Sequence, residues 1–243
     1  MKFIETFFTY WEIEKLDKKI SFDSIVVIDV LRATSTMVTA ISNGCARIIP
    51  FYEVEEAILF RDQFNKYGNI LLCGERNSNK PANFDLGNSP LEFRKEVVNG
   101  KDIIFTTTNG TKALLKVQEF SDNIYVGAFL NLSSTVNYLL KYDKLGIVCA
   151  GNEGHASYED TQVAGKIIEK LVEKKSYELS DSSKIAYSVW KAIGKTDFTG
   201  THSRKLVELG FEKDIEFCQH IDLFDSVVKL FKSGDLFYLK RIA

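Results

Sequence analysis

Short apolar runs at Ile25 to Val30, Arg47 to Phe51, Ile70 to Cys73, Ile103 to Phe105, Ile124 to Val126 and Gly146 to Cys149 alternate with stretches of helical spacing. The helical stretches place Val54, Ala57, Ile58 and Phe64 on one face, then Ala113, Leu114 and Val117, then Val136, Leu139 and Leu140, then Val163, Ile167, Ile168 and Leu171. A brief apolar run bounded by turn residues reads as a strand covered on both faces, and a helix between two such strands makes a βαβ unit. Parallel strands need crossovers and buried faces, so the pattern predicts an α/β fold. We expect one domain, 1–243, with a mostly parallel sheet in a three-layer α/β/α arrangement over 22–175. A helix-rich C-terminal extension over 176–243 would follow. Its tail, SGDLFYLKRI, reads as an edge strand, and the helices between 181 and 231 would cap the sheet or pack on a partner.

Charge narrows the partners. With 31 Lys plus Arg against 33 Asp plus Glu, the net charge of −2 predicts no broad attraction to nucleic acid or to anionic membranes, so any anion site must be local. Cys45, Cys73, Cys149 and Cys218 stand far apart without a CxxC pair and read as reduced, buried thiols. No uninterrupted apolar stretch of about 18 residues occurs, and the aromatic N-terminus lacks a cleavage signature, so the expected address is the cytoplasm. A homodimer is the expected assembly on frequency alone.

In open α/β sheets ligands bind beyond the carboxyl ends of the strands. The residues that follow the apolar runs are polar in four places. IDVLRATST puts Asp29 and Arg32 at the sheet edge, with Thr34, Ser35 and Thr36 at a helix start, where hydroxyls cap the helix or join it in holding an anion. TTTNGT supplies Thr107, Thr108, Asn109, Gly110 and Thr111 in the same arrangement. The long polar excursion GERNSNKPANFDLGNSP carries Glu75, Arg76, Asp85, Asn88 and Ser89, and CAGNEGHASYEDTQVAG carries Asn152, Glu153, His155, Glu159 and Asp160. Each loop alone reads equally as caps and solvated charges. Together, on parallel strands, they bring carboxylates beside arginines. Hard oxygen ligands without clustered Cys or His favour Mg²⁺ over zinc, with a small anionic substrate. His202 and His220 lie outside these loops and read as structural or exposed.

Several chemistries are excluded. Gly194, Lys195 and Thr196 spell GKT, but Val189 stands where a P-loop needs its first glycine, and GxGxxG, HExxH and GxSxG are absent. Leu31 follows Asp29 by two positions, so the paired aspartates of phosphoaspartyl enzymes are missing, and neither Cys73 nor Cys149 has an arginine six positions on. Direct attack by water is the simplest surviving route.

The strings VVIDVLRATST, CGER with FDLGNSP, TTTNGT, GAFLN, and CAGNEG with YEDTQVAG resemble, in order, the motifs of the 2-phosphosulfolactate phosphatase (ComB) family. The resemblance runs from Ile25 through Leu171 and continues more weakly through KLVELGFEKDIEFCQHID. It implies magnesium-dependent hydrolysis of 2-phospho-3-sulfolactate to 3-sulfolactate and phosphate, a step of coenzyme M biosynthesis. On this reading Mg²⁺ is held by some of Asp29, Glu75 and Asp160, Arg32 and Arg76 neutralise anionic oxygens, and Asp29 or Asp160 handles the attacking water. The loop from Thr107 to Thr111 would hold phosphate or sulfonate, and the motifs GAFLN and CAGNEG add Asn131 and Gly151 to the substrate contacts. Ser78 and Asn83 stand where the family commonly has glycine, which bears on substrate fit. A phosphatase for another phosphorylated hydroxy or carboxylic acid, or a non-catalytic anion-binding protein, are the alternatives.

Overall fold

The computed structural model describes residues 2–64 and 69–242. The predicted strands all form: β2 (Ser24–Ile28), β3 (Arg47–Pro50), β4 (Ile70–Gly74), β5 (Asp102–Thr106), β6 (Ile124–Gly127) and β7 (Lys144–Cys149). Ahead of them lies β1 (Phe3–Phe7), and after them β8 (Glu178–Leu179), β9 (Val228–Ser233) and β10 (Leu236–Arg241). The helices are α1 (Tyr10–Ile13), α2 (Ala33–Ser42), α3 (Val54–Phe64), α4 (Lys95–Val98), α5 (Gly110–Val117), α6 (Leu132–Leu139), α7 (Tyr158–Val172), α8 (Asp181–Ile193), α9 (Thr201–Glu208) and α10 (Glu212–Cys218). None of the described helices is long and apolar enough to cross a membrane.

The strand order is β4-β5-β3-β10-β9-β6-β2-β7-β1-β8. A parallel block, β4-β5-β3, and a second parallel block, β6-β2-β7-β1-β8, are separated by the antiparallel β9–β10 hairpin. The sheet is mostly parallel, as expected, with the hairpin making it mixed. The tail is not an edge strand: β10 sits in the middle of the sheet, against β3 on one side and β9 on the other. Nor is the sheet confined to 22–175, because β1, β8, β9 and β10 all belong to it. Alternation explains the hairpin. Val228, Leu230 and Leu239 turn into the core while lysines turn out, and Gly234 takes the positive φ of 59° that the connecting turn requires.

Three antiparallel junctions leave the two parallel blocks opposed along the ladder, yet strands of both blocks end at the site described below. The sheet must turn through a large angle at the hairpin. Pairing is sparse there, with one registered pair between β10 and β3 and two between β9 and β6. Twist accumulated over many strands supplies the rotation.

One large core spans most of the sheet, and a small separate cluster of Ala57, Leu72, Phe84 and Ile104 sits beside β4 and β5. Every residue of β2 is buried, and α2 is buried from Ala33 to Ile41, so the helix that leaves the first site loop is enclosed on all sides. Such burial on every side fixes the helix, and with it the loop, by packing rather than by helix propensity.

Candidate active site

Asp29 leaves the end of β2 and closes a turn with the start of α2. Its carbonyl accepts from Thr34 N–H at 2.8 Å, its own N–H donates to Thr34 Oγ1 at 3.1 Å, and Oδ1 accepts from Ala33 N–H at 3.3 Å. Burial, and next the charge of Glu75, push the Asp29 carboxyl up to about 7 against the pull of Ala33 N–H, Arg32 and Gly110 N–H.

Glu75 follows Gly74, whose φ of 141° lets the end of β4 lie against Thr106; an added Cβ would stand 1.9 Å from the Thr106 carbonyl oxygen. The Glu75 side chain ties two loops together. Oε1 accepts from Thr108 N–H at 2.7 Å, while Oε2 accepts from Ser78 N–H at 2.8 Å and Thr108 Oγ1 at 3.2 Å. Asp160, in the first turn of α7, accepts from Val30 N–H at 2.8 Å and Gly151 N–H at 3.3 Å. Burial first, and Asp29 second, hold its carboxyl well above the ordinary carboxylate range. Three carboxylates from three strand-end loops thus share one cleft, and their mutual repulsion in a low-dielectric setting is relieved by a cation or by protons.

Gly110 explains the Asn-Gly of TTTNGT. A Cβ there would meet Asp29 Oδ2 at 2.6 Å and Ala33 Cβ at 2.6 Å, so only glycine lets α5 start beside the aspartate. Gly110→Ala is expected to displace Asp29, lowering kcat at least tenfold and stability by about 1–3 kcal/mol. Paired kinetics and thermal melts check this, and unchanged kcat would show that Asp29 tolerates the shift.

The expected basic residues divide. Arg32 lines the cleft but is buried, with Nη1 donating to Asp214 Oδ2 at 2.7 Å, Nη2 to the Ser78 carbonyl at 2.7 Å, and the guanidinium 4.1 Å above the Phe211 ring. Arg76 turns away from the cleft, donating to Tyr52 O at 2.9 Å, Thr106 Oγ1 at 2.8 Å and Glu75 O at 2.8 Å. It braces the ends of β3, β4 and β5.

Asn88, Thr108, Asn109 and Gly151 join the three acids in the cleft wall. Asn88 is 6% exposed, and its Oδ1 is buried with no hydrogen-bond partner. Other expected contacts are spent inside the fold. Ser35 Oγ donates to Val30 O, Thr36 Oγ1 to Asn88 O, and Ser89 Oγ to Asp214 Oδ1, while Thr34 receives the Asp29 N–H. Thr107 and Thr111 bond each other, and Asn131 ties Val126 O and Ser226 O together. These residues shape the loops rather than line the cleft.

The wall also contains residues the sequence did not single out: Asn77, Ser157, and, from α9, His202 and Lys205. His202 was expected to be structural or exposed. Burial holds its imidazole below its ordinary pKa, with Glu159 opposing. The His202–Lys205 spacing of one helical turn is the only sequence signal, and it is too common to have found them.

Among the described residues no three or more His, Cys, Asp and Glu side chains form a ready-made metal cage. Magnesium does not require one. It is commonly held by one or two carboxylates with waters and substrate oxygens, and the donor chemistry here, all carboxylate oxygen, fits a hard divalent cation.

A mixed α/β sheet whose strand ends gather three carboxylates beside buried and half-buried cations defines an enzyme scaffold for a small, multiply charged anion. Residues 10–233 match the family described as 2-phosphosulpholactate phosphatase. The chain is 46% identical over 237 residues to the probable 2-phosphosulfolactate phosphatase of Caldanaerobacter subterraneus subsp. tengcongensis, covering 96% of each chain. A protein of the same description from Thermotoga maritima is 46% identical, over 84% of this chain and 88% of its own, and one from Clostridium novyi 40%, over 87% and 90%. The chain belongs to the 2-phosphosulfolactate phosphatase family, a family of phosphoric monoester hydrolases.

Proposed function

We propose that the chain hydrolyses 2-phospho-3-sulfolactate to 3-sulfolactate and phosphate, with Mg²⁺, as in a coenzyme M-type biosynthetic step in the cytoplasm. The observation that carries this is the meeting of Asp29, Glu75 and Asp160, from three separate strand-end loops, in one polar cleft. The names of the relatives supply the substrate. Asp29, Glu75 and Asp160 are the side chains that would hold Mg²⁺, which supplies charge neutralisation and polarisation of the phosphoryl group when bound. Asn109 and the Asn88 amide donate hydrogen bonds to the phosphoryl oxygens, and Thr108 holds Glu75 in place beside them. Water attacks phosphorus in line, the P–O bond to the hydroxy-acid carbon breaks, and the leaving oxygen ends as the sulfolactate hydroxyl. One proton of the water passes to the acid cluster, in which Asp29 or Asp160 is placed to accept it, and the cluster returns a proton to the leaving oxygen. The four cysteines are free and buried, consistent with a reducing compartment.

The test is phosphate release from 2-phospho-3-sulfolactate by the purified protein, with Mg²⁺ and with chelator, beside 2-phospholactate and 2-phosphomalate. Chelation should reduce turnover by about 10²-fold or more. Chelator-insensitive release would remove the metal from the mechanism, and absence of release from every compound would overturn hydrolysis itself.

A further inference from the structure

The C-terminal helices are pinned to the catalytic loops by two buried carboxylates. Glu159, the neighbour of Asp160, is 1% exposed, accepts from Gly200 N–H at 2.9 Å and from Ser203 Oγ, and so caps the start of α9. Asp214 of α10 is 2% exposed and bonds Arg32 and Ser89. Glu159 thus holds α9 and Asp214 holds α10 against the catalytic loops, with His202 and Lys205 of α9 in the cleft wall. Among the described residues the Lys205 ammonium pairs with Glu153 at a long 3.8 Å, and the Glu153 side chain is 68% exposed, so its charge is barely committed. Arg32, in contrast, is matched to Asp214. His202 Nδ1 is buried and has no hydrogen-bond partner.

We propose that α9 is the specificity element of this site: Lys205, with a hydrogen bond from His202, binds the anionic group on C3 of the substrate, the sulfonate, which lactate lacks. This rests on the phosphatase reading for its substrate. A cleft already holding three acids accepts a further anion on C3 only where a cation opposes that group. Lys205 supplies it, and the unpaired imidazole nitrogen supplies a donor in the appropriate tautomer.

The intact protein with Mg²⁺ is titrated calorimetrically with 3-sulfolactate, malate and lactate, and kinetics are run on the three corresponding 2-phospho compounds. The parent should prefer 3-sulfolactate and malate over lactate. Lys205→Met should weaken those two about 10- to 100-fold, leaving lactate binding and the kcat for 2-phospholactate within about threefold, and Lys205→Arg should restore most of the preference. Equal losses on all three ligands, a preference that survives Lys205→Met, or no binding of any ligand by the parent would overturn the assignment. A parent that discriminates among the ligands but releases no phosphate would support α9 as the reader of the anion while ending the phosphatase reading. Phosphate release with an unchanged preference in Lys205→Met would do the reverse.

Discussion

Asp29→Asn is expected to lower kcat for phosphate release by about 10³-fold or more while leaving the protein folded and, at pH 8 without Mg²⁺, more stable than its parent. Both effects come from the same carboxyl. Its folded value of about 7 lies above the ordinary 3.8, so between those values the folded chain holds a proton that the unfolded chain has released. Stability therefore falls as pH rises through that window, and the whole penalty is present above it. Asparagine keeps the shape and carries no penalty. At about 1.36 kcal/mol per pH unit the ceiling is roughly 4 kcal/mol, and partial exposure of Asp29 reduces the expected gain to about 1–2 kcal/mol, or about 2–8 °C in Tm. The same substitution at pH 4 should change Tm little. Near-normal turnover would remove Asp29 from the chemistry, and a variant less stable at pH 8 than at pH 4 relative to its parent would refute the electrostatic account.

Asp214→Ala is expected to be the most destabilising single substitution near the site, by about 3–5 kcal/mol or roughly 6–20 °C in Tm. It leaves the Arg32 guanidinium, whose side chain is only 2% exposed, without its counter-charge, and it frees Ser89 as well. The contact of Arg32 with Phe211 cannot replace a carboxylate at 2.7 Å. Replacing both partners, as Arg32→Met with Asp214→Leu, should recover most of the stability, because a buried pair is costly to break and much less costly to remove. Activity should not return, since the cleft has lost Arg32. Thermal melts and phosphate release on the three proteins separate the two effects. A loss below about 1 kcal/mol for Asp214→Ala would mean that the pair does not dock α10.

The strands of the two parallel blocks were readable because burial on both faces forces uninterrupted apolar residues. β1 escaped because FIETF mixes Glu5 and Thr6 into a strand with one half-covered face, and β9 escaped because Lys229 and Lys232 break up its apolar residues, while β10 was read as a strand but placed at the edge rather than in the middle of the sheet. At the site, Asp29, Glu75, Asp160, Thr108, Asn109 and Gly110 were readable for a physical reason: strand ends in such sheets face the ligand. The sequence does not say which way a loop side chain turns. Thr36 is taken by the Asn88 carbonyl, Arg76 by Tyr52 and Thr106, and Arg32 by an aspartate 182 positions away. His202 and Lys205 were invisible because α9 reaches the cleft through Glu159, 41 positions before Gly200, and no local pattern encodes that contact.

The β9–β10 hairpin also orders events in time. Residues 228–241 lie between strands made from residues 47–50 and 124–127, so a chain emerging from the ribosome has both parallel blocks before it has the piece that joins them. Until then β3 and β6 each present a bare edge, the kind of surface on which strands of other molecules pair. Closure awaits contacts almost 200 positions apart, such as Leu239 with Ile48, which makes the last step of assembly slow relative to formation of either block. Protection of these two edges during synthesis thus falls to chaperones or to speed.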